Sequence, residues 1–205
     1  DCSREFIFSA TFENVASICI PNAVPSRCQV GENTTRRARR TRNKLVCSLR
    51  VVFNGNSFFE LWLMGKVEIP LLYSVKKLRP NDAFNIIAYS DHFFKMNDIP
   101  IQSTNSNIDS AKVFINSLYA GGGTKAMEPL KEAMLMQTDE NKLKMIVFIT
   151  DGDIGYEKDV FNLVNKNIQN SRLFCVGIGS ATNGHLLEKV SKHGRGTYTY
   201  INNKN

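Results

Sequence analysis

The sequence predicts an open α/β sheet of mostly parallel strands, doubly wound with helices on both faces. Short runs that are apolar on both faces lie at residues 84–89, 145–149 and 173–178, as expected for strands buried between two helical layers. Segments of helical period alternate with these runs along residues 71–201. A chain of 205 residues is long enough for one sizeable domain and too short for two comfortable ones. We therefore expect a single domain over residues 1–205.

The helices are predicted from apolar residues that recur every three or four positions. Three segments have this period: residues 108–119, 160–168 and 186–190. A further helix is expected from about residue 127 to residue 136, after a glycine-rich turn. Thr104 or Asn105 is a plausible N-cap for the first helix, and Gly194 is placed to end the last one. Residues 197–201, rich in Thr and Tyr, are typical of a final strand.

Residues 9–70 do not follow this alternation, and we expect them to interrupt the regular fold as an irregular segment. Within them, residues 45–53 and 57–64 are compatible with a hairpin around an Asn-Gly turn. Residues 4–8 look like the start of a buried strand. The loss and recovery of pattern at the two ends of residues 9–70 suggests a translated intron or an alternative exon.

Charge and composition exclude several classes of protein. The net charge is +7, but six positive charges fall within residues 36–44, so the rest of the chain carries only +1. A nucleic-acid binder acting through Arg36–Arg42 remains one alternative, although no aromatic residues interleave with this run. No apolar run is long enough to cross a bilayer. The chain begins at Asp1 without a leader, and we expect it to be a fragment of a longer protein.

The familiar signatures of catalysis are absent from the sequence. It contains no G-x-S-x-G nucleophile elbow, no H-E-x-x-H and no zinc-type cysteine spacing among its five cysteines. Cys175 lies in an apolar run and is expected to be a small buried residue. His185 and His193 flank the last helix and are expected on the surface. These features predict that the chain is not an enzyme.

Three motifs follow predicted strands or precede a helix, at the end of the sheet where open α/β folds place their ligands. Gly121–Thr124 is either a ligand-binding loop or a flexible turn with a helix cap. Asp151, within Thr150–Gly152, is either a hard-cation ligand or a turn residue, and Asp153 is expected to cap the next helix. The last motif, Gly177–Thr182, fails the dinucleotide pattern because its final position is Thr.

Taken in order, these motifs resemble the von Willebrand factor type A domain. The segments that carry the resemblance are FNIIAYSD, LYAGGGTKAMEPLKEAM, KMIVFITDGDIG, RLFCVGIGSATN and GRGTYTYI. The match covers residues 71–201 and 4–8, and its flavour is that of inter-alpha-trypsin inhibitor heavy chains. The resemblance implies the same doubly wound fold and an adhesion or matrix-interaction domain.

The resemblance also implies a metal-ion-dependent adhesion site for Mg²⁺, built from D-x-S-x-S after the first strand, a Thr in the glycine loop and the Asp of TDG. Thr124 and Asp151 match the second and third elements. If the first strand is residues 4–8, the D-x-S-x-S positions hold Thr11, Glu13 and Val15. Thr11 and Glu13 are weak substitutes, and Val15 offers no oxygen. We therefore expect a remnant site with weak or absent Mg²⁺ binding.

The expected function is thus non-enzymatic protein binding, with metal-dependent ligand capture impaired. In the family the partner supplies an acidic side chain, and the location is extracellular or at the cell surface. A second alternative is a Rossmann-like hydrolase or phosphate-binding protein that uses the loop Gly121–Thr124 at a helix N-terminus. Metal-dependent binding without turnover separates the first interpretation from this one.

Overall fold

The structure is a computed structural model that describes residues 46–54, 75–118, 122–179 and 181–201. In chain order its strands are β1 Val46–Asn54, β2 Ala83–Tyr89, β3 Phe93–Lys95, β4 Ile101–Gln102, β5 Lys142–Thr150, β6 Arg172–Ile178 and β7 Tyr198–Ile201. Its helices are α1 Asn105–Asn116, α2 Met127–Leu135, α3 Glu157–Asn167 and α4 Gly184–His193. None of these helices is long and apolar enough to cross a membrane.

The described strands form one sheet in the order β3-β2-β1-β5-β6-β7, and β4 also pairs with β2. The pairs β1–β2, β1–β5, β5–β6 and β6–β7 are parallel, while β3 and β4 run antiparallel to β2. The predicted doubly wound, mostly parallel sheet is therefore confirmed. The predicted apolar runs correspond to β2, β5 and β6. Helices cover these strands on both faces, so neither face needs polar side chains.

The structure corrects the prediction for the first strand. Residues 46–54 lie between β2 and β5 and are parallel to both, so they are not the first arm of a hairpin. Residues 4–8, which the sequence pattern predicted to be the first strand, lie outside the described part. Residues 57–64, the predicted second arm of the hairpin, lie outside it too. Residues 9–70 therefore contribute at least one strand to the sheet. The run Val51–Phe53 explains this placement, because it is apolar on both faces, like β5.

Each face of the sheet has its own apolar core. On one face, Ile108, Ala111 and Ile115 of α1 pack over the strands. On the other face, α2, α3 and α4 pack over side chains that include Val52 and Cys175. Cys175 is a free, buried thiol, as predicted, and burial raises its pKa. Two helical layers thus fix the sheet and leave its carboxyl edge to the loops.

The helix ends follow the predicted signals in two of three cases. Thr104 caps α1 by accepting a hydrogen bond from the Asn107 backbone, and Gly194 ends α4. Asp153 was expected to cap α3, but it accepts from the Gly155 backbone inside the preceding loop. Tyr156 instead occupies the N-cap position, in a left-handed conformation without a side-chain cap.

A buried cation lies at the amino-terminal half of β1. Arg50 is fully buried and donates hydrogen bonds to the carbonyls of Ser48 and Gln137 and to the Thr138 hydroxyl. Nearby, Lys144 donates to the Met134 carbonyl at 2.7 Å. Burial, and to a smaller extent the Arg50 charge, lowers the pKa of Lys144 to about 8. These two cations lie at the carboxyl end of α2, where the helix dipole is negative.

We expect this lysine to make stability depend on pH. The folded chain releases the Lys144 proton near pH 8, whereas an exposed lysine releases it near its usual value of 10.5. The unfolded chain therefore binds more protons in that window, and the free energy of unfolding rises with pH through it. The contribution is about 1 kcal/mol, below what the full pKa difference would give, because water still reaches part of the side chain.

The measurement is urea unfolding at pH 7.5 and pH 9.5 for the unmodified chain and for Lys144→Met. The rise with pH should be smaller in the variant by about that 1 kcal/mol. An equal rise in both proteins would contradict the assignment to Lys144.

Candidate functional site

The carboxyl ends of three parallel strands meet at one edge of the sheet. In register, Asn54 at the end of β1 lies beside Tyr89 at the end of β2, and Phe53 lies beside Ile149 of β5. The loops that follow β2 and β5, and the glycine loop that precedes α2, therefore converge around Asn54. We call this region the carboxyl edge.

Thr124 lies at the centre of the carboxyl edge. Its hydroxyl accepts a hydrogen bond from the Asn54 side-chain amide at 3.2 Å. It also lies against Gly152, where an added Cβ would be only 2.6 Å from the Thr124 Oγ1 atom. The end of β1, the glycine loop and the loop after β5 thus meet at one hydroxyl group, and Gly152 is required there because any side chain would displace it.

Ser90 and Asp91 hold the glycine loop from the side of β2. The Ser90 carbonyl accepts a hydrogen bond from the Lys125 backbone at 2.9 Å. The Asp91 carboxylate lies across the loop: Cβ atoms built on Gly122 and Gly123 would be 2.6 and 2.9 Å from its two oxygens. Gly122 also has φ +89°, which favours glycine. Lys125 Nζ is 3.9 Å from Asp91, in a solvent-exposed ion pair.

Two stacked, uncharged aromatic side chains lie in the core beside the carboxyl edge. The Tyr89 hydroxyl donates to the Ile149 carbonyl at 3.4 Å, and its ring stacks on Phe148 with centroids 5.9 Å apart. Burial raises the pKa of Tyr89, and the nearby Asp151 charge acts in the same direction. The phenol therefore stays protonated and contributes no charge to the site.

The two residues predicted for the metal site lie on adjoining loops of the carboxyl edge. Asp151 follows β5 directly and is partly exposed, and Thr124 contacts the next residue, Gly152. Thr11 and Glu13 lie outside the described residues. Within the part of the chain that the structure describes, no group of three or more His, Cys, Asp or Glu side chains could hold a metal ion.

The other predicted residues fall away from this edge or serve structural roles. His185 and His193 are exposed, as predicted, and His193 hydrogen bonds with Asn165 at 2.8 Å. In the third motif, Gly177 leaves room for the Tyr198 hydroxyl, which would be 3.0 Å from an added Cβ. The close packing of Gly177 against a side chain is consistent with the sequence argument against a dinucleotide site.

Sequence reasoning missed Asn54 and Asp91. Asn54 was interpreted as part of a hairpin turn, although the apolar run before it was a signal for a buried strand that ends there. Asp91 follows β2 as Asp151 follows β5, and strand-end position was the signal available. Asp91 contacts the loop that carries Thr124, and Asn54 contacts Thr124 itself, so both belong to the candidate site.

Comparison with known proteins places this geometry in a family. The profile of the von Willebrand factor type A domain matches residues 68–200. The chain belongs to this family.

Curated relatives match about two thirds of this chain. A von Willebrand factor A domain-containing protein of Dictyostelium discoideum is 28% identical over 137 residues, which are 66% of this chain and 15% of that protein. Protein mono-ADP-ribosyltransferase PARP4 of Mus musculus is 27% identical over 133 residues, which are 65% of this chain and 7% of that protein. The type A domain is thus a small part of much longer relatives, one of which is named as an enzyme.

Solved structures show the same fold. A von Willebrand factor type A protein from Catenulispora acidiphila superposes with a TM-score of 0.69 at 19% identity, covering 77% of this chain and 39% of that one. Proximal thread matrix protein 1 from the mussel byssus, described with a zinc-occupied MIDAS motif, has a TM-score of 0.59 at 16% identity, covering 76% and 41%. At these identities the likeness concerns the fold of the type A domain alone.

The contact between Thr124 and Gly152 predicts a steric effect. Gly152→Ala places a methyl group against the Thr124 hydroxyl, which must rotate away and lose its hydrogen bond with Asn54. We expect a cost of about 1–2 kcal/mol in the free energy of unfolding. Urea denaturation measures it. In a Thr124→Ala background the obstructing oxygen is gone, and Gly152→Ala should then cost much less; an equal cost in both backgrounds would contradict this geometry.

Proposed function

We propose that this type A domain is a non-enzymatic protein-interaction module that binds its partner through the carboxyl edge. The observation that carries the proposal is the convergence of three loops around Thr124, with Asp151 partly exposed and Tyr156, at the end of the loop that follows β5, 77% exposed. Exposed tyrosine is typical of protein interfaces. The finer resemblance to inter-alpha-trypsin inhibitor heavy chains is part of this proposal.

The hydrolase or phosphate-binding alternative has less support. A phosphate at the glycine loop would lie near the backbone of Gly122 and Gly123, where the Asp91 carboxylate already lies. Two anionic groups in that space would repel each other. The nucleic-acid alternative depends on Arg36–Arg42, which lie outside the described residues, and a steep fall of affinity with salt would be its signature.

We infer that the site residues do not hold Mg²⁺ tightly. No D-x-S-x-S string occurs in the sequence, and the end of β1 continues as Asn54-Gly55-Asn56-Ser57-Phe58. An amide stands where the motif has its aspartate, Asn56 stands at its first serine, and the last position offers no oxygen. Mg²⁺ prefers an octahedral shell of oxygens and gives up water reluctantly. Asp91 also lies at this edge, but its carboxylate is paired with Lys125. Of the other three side chains, Asn54, Thr124 and Asp151, Asp151 alone carries a carboxylate.

A weak metal site changes the kind of partner that fits. In the family mode, an acidic partner residue is bound through the cation. Without a cation, such a residue would meet the carboxylates of Asp91 and Asp151 at the carboxyl edge. We therefore propose that the partner contributes hydrogen-bond donors or cations rather than an acidic side chain.

Location outside the cell or at its surface is proposed from the resemblance alone, and surface biotinylation of intact cells tests it.

Titration calorimetry tests the metal proposal. We expect no saturable binding at millimolar Mg²⁺ and the same heats from Asp151→Ala, because a single carboxylate with one hydroxyl does not displace enough water from the ion. Saturable binding by the unmodified chain that is lost in Thr124→Ala would show that other residues complete the site.

Affinity capture from the source organism, with quantitative mass spectrometry, tests the binding surface. The edge variant combines Asp151→Asn with Tyr156→Ala, and its matched control combines Asp98→Asn with Val113→Ala, at side chains that are 96% and 71% exposed on other parts of the surface. We expect the unmodified chain and the control to retain the same partners. The edge variant should retain about tenfold less of each partner. Equal retention by both variants would place the interface elsewhere.

A further inference from the structure

A buried side chain connects the central strand to the glycine loop. Asn54 is fully buried at the end of β1, and its amide donates to the Thr124 hydroxyl at 3.2 Å. We propose that Asn54 is a positioning residue that orders the glycine loop without a metal ion. The link between strand end and loop is then a permanent part of the fold rather than a ligand-dependent one.

The loop has two protein anchors at successive residues. Thr124 is tied to β1 through Asn54, and the Lys125 backbone is tied to Ser90 after β2. Because β1 and β2 are hydrogen-bonded neighbours in register, both anchors belong to one rigid unit. Contacts within the protein therefore hold Thr124 and Lys125 without a cation.

Burial makes the Asn54 contact consequential. A buried amide that loses its partner retains the cost of desolvation, whereas a satisfied one offsets that cost. Gly152 contributes by leaving the space in which the Thr124 hydroxyl meets the amide. This inference rests on the proposed function only in treating the loop as part of the binding surface, and its test requires no partner.

Amide hydrogen exchange of residues 122–126 tests the proposal in the full chain. In the unmodified protein, exchange should be the same within about twofold with chelator or with millimolar Mg²⁺. Thr124→Val removes the hydroxyl with little change of shape, and Asn54→Ala removes the amide. Each should accelerate loop exchange about five- to tenfold relative to the amides of 146–148 in β5, and the double variant should be no faster than the faster single variant.

Asn85→Ala supplies the matched control. Asn85 is also a fully buried asparagine, paired in register with Arg50 rather than with the carboxyl edge, and it donates to the Asn97 carbonyl at 2.7 Å. Its loss should destabilise the whole chain without selectively accelerating the loop. Slowing of loop exchange by Mg²⁺ in the unmodified chain would overturn the proposal, as would additive effects of the two single variants. Equal retention of partners by the edge variant and its control, with these exchange results intact, would count against the proposed function alone.

Discussion

The parallel pairing of β1 with both of its neighbours is the constraint on which the rest of the structure depends. A strand flanked by β2 and β5 in parallel must end where they end, so Asn54, Tyr89 and Thr150 finish at one edge. The loops after those strands must therefore begin at this same edge. The candidate site is a consequence of this topology, as is usual for open α/β sheets.

The same strand also contacts both ends of α2. Side chains two apart on a strand share a face, so Arg50, Val52 and Asn54 all face this helix. Arg50 donates to the carbonyl of Gln137 just after α2, while Asn54 donates to Thr124 just before it. The four residue steps along β1 from Arg50 to Asn54 span roughly 13 Å, and the nine residues of α2 span about the same length. The spacing of two buried polar side chains therefore matches the helix that they hold.

Sequence patterns were sufficient to predict the strands and helices of the regular part of the chain, residues 71–201. Runs such as residues 145–149 have only one arrangement that buries both faces, and the period of α1 and the cap at Thr104 are local signals. The central strand was not identified, because an apolar run followed by Asn-Gly fits a hairpin arm as well as a buried strand that ends there. Only pairing partners distant in sequence decide between these, and Asn54 was missed for the same reason.

Charge at the two ends of α2 explains why its preceding loop can be ordered by the protein alone. The carbonyls at its carboxyl end receive Arg50 and Lys144, which oppose the negative end of the helix dipole. At its amino end, Glu128 lies in the first turn, where it opposes the positive end of the dipole. The Asp91 carboxylate lies across Gly122 and Gly123, in the loop before the helix. A cation that bound to Asp91 would have to displace the contact between its carboxylate and the glycine loop. A partner at the carboxyl edge therefore binds better to the exposed groups around the edge than to its buried centre.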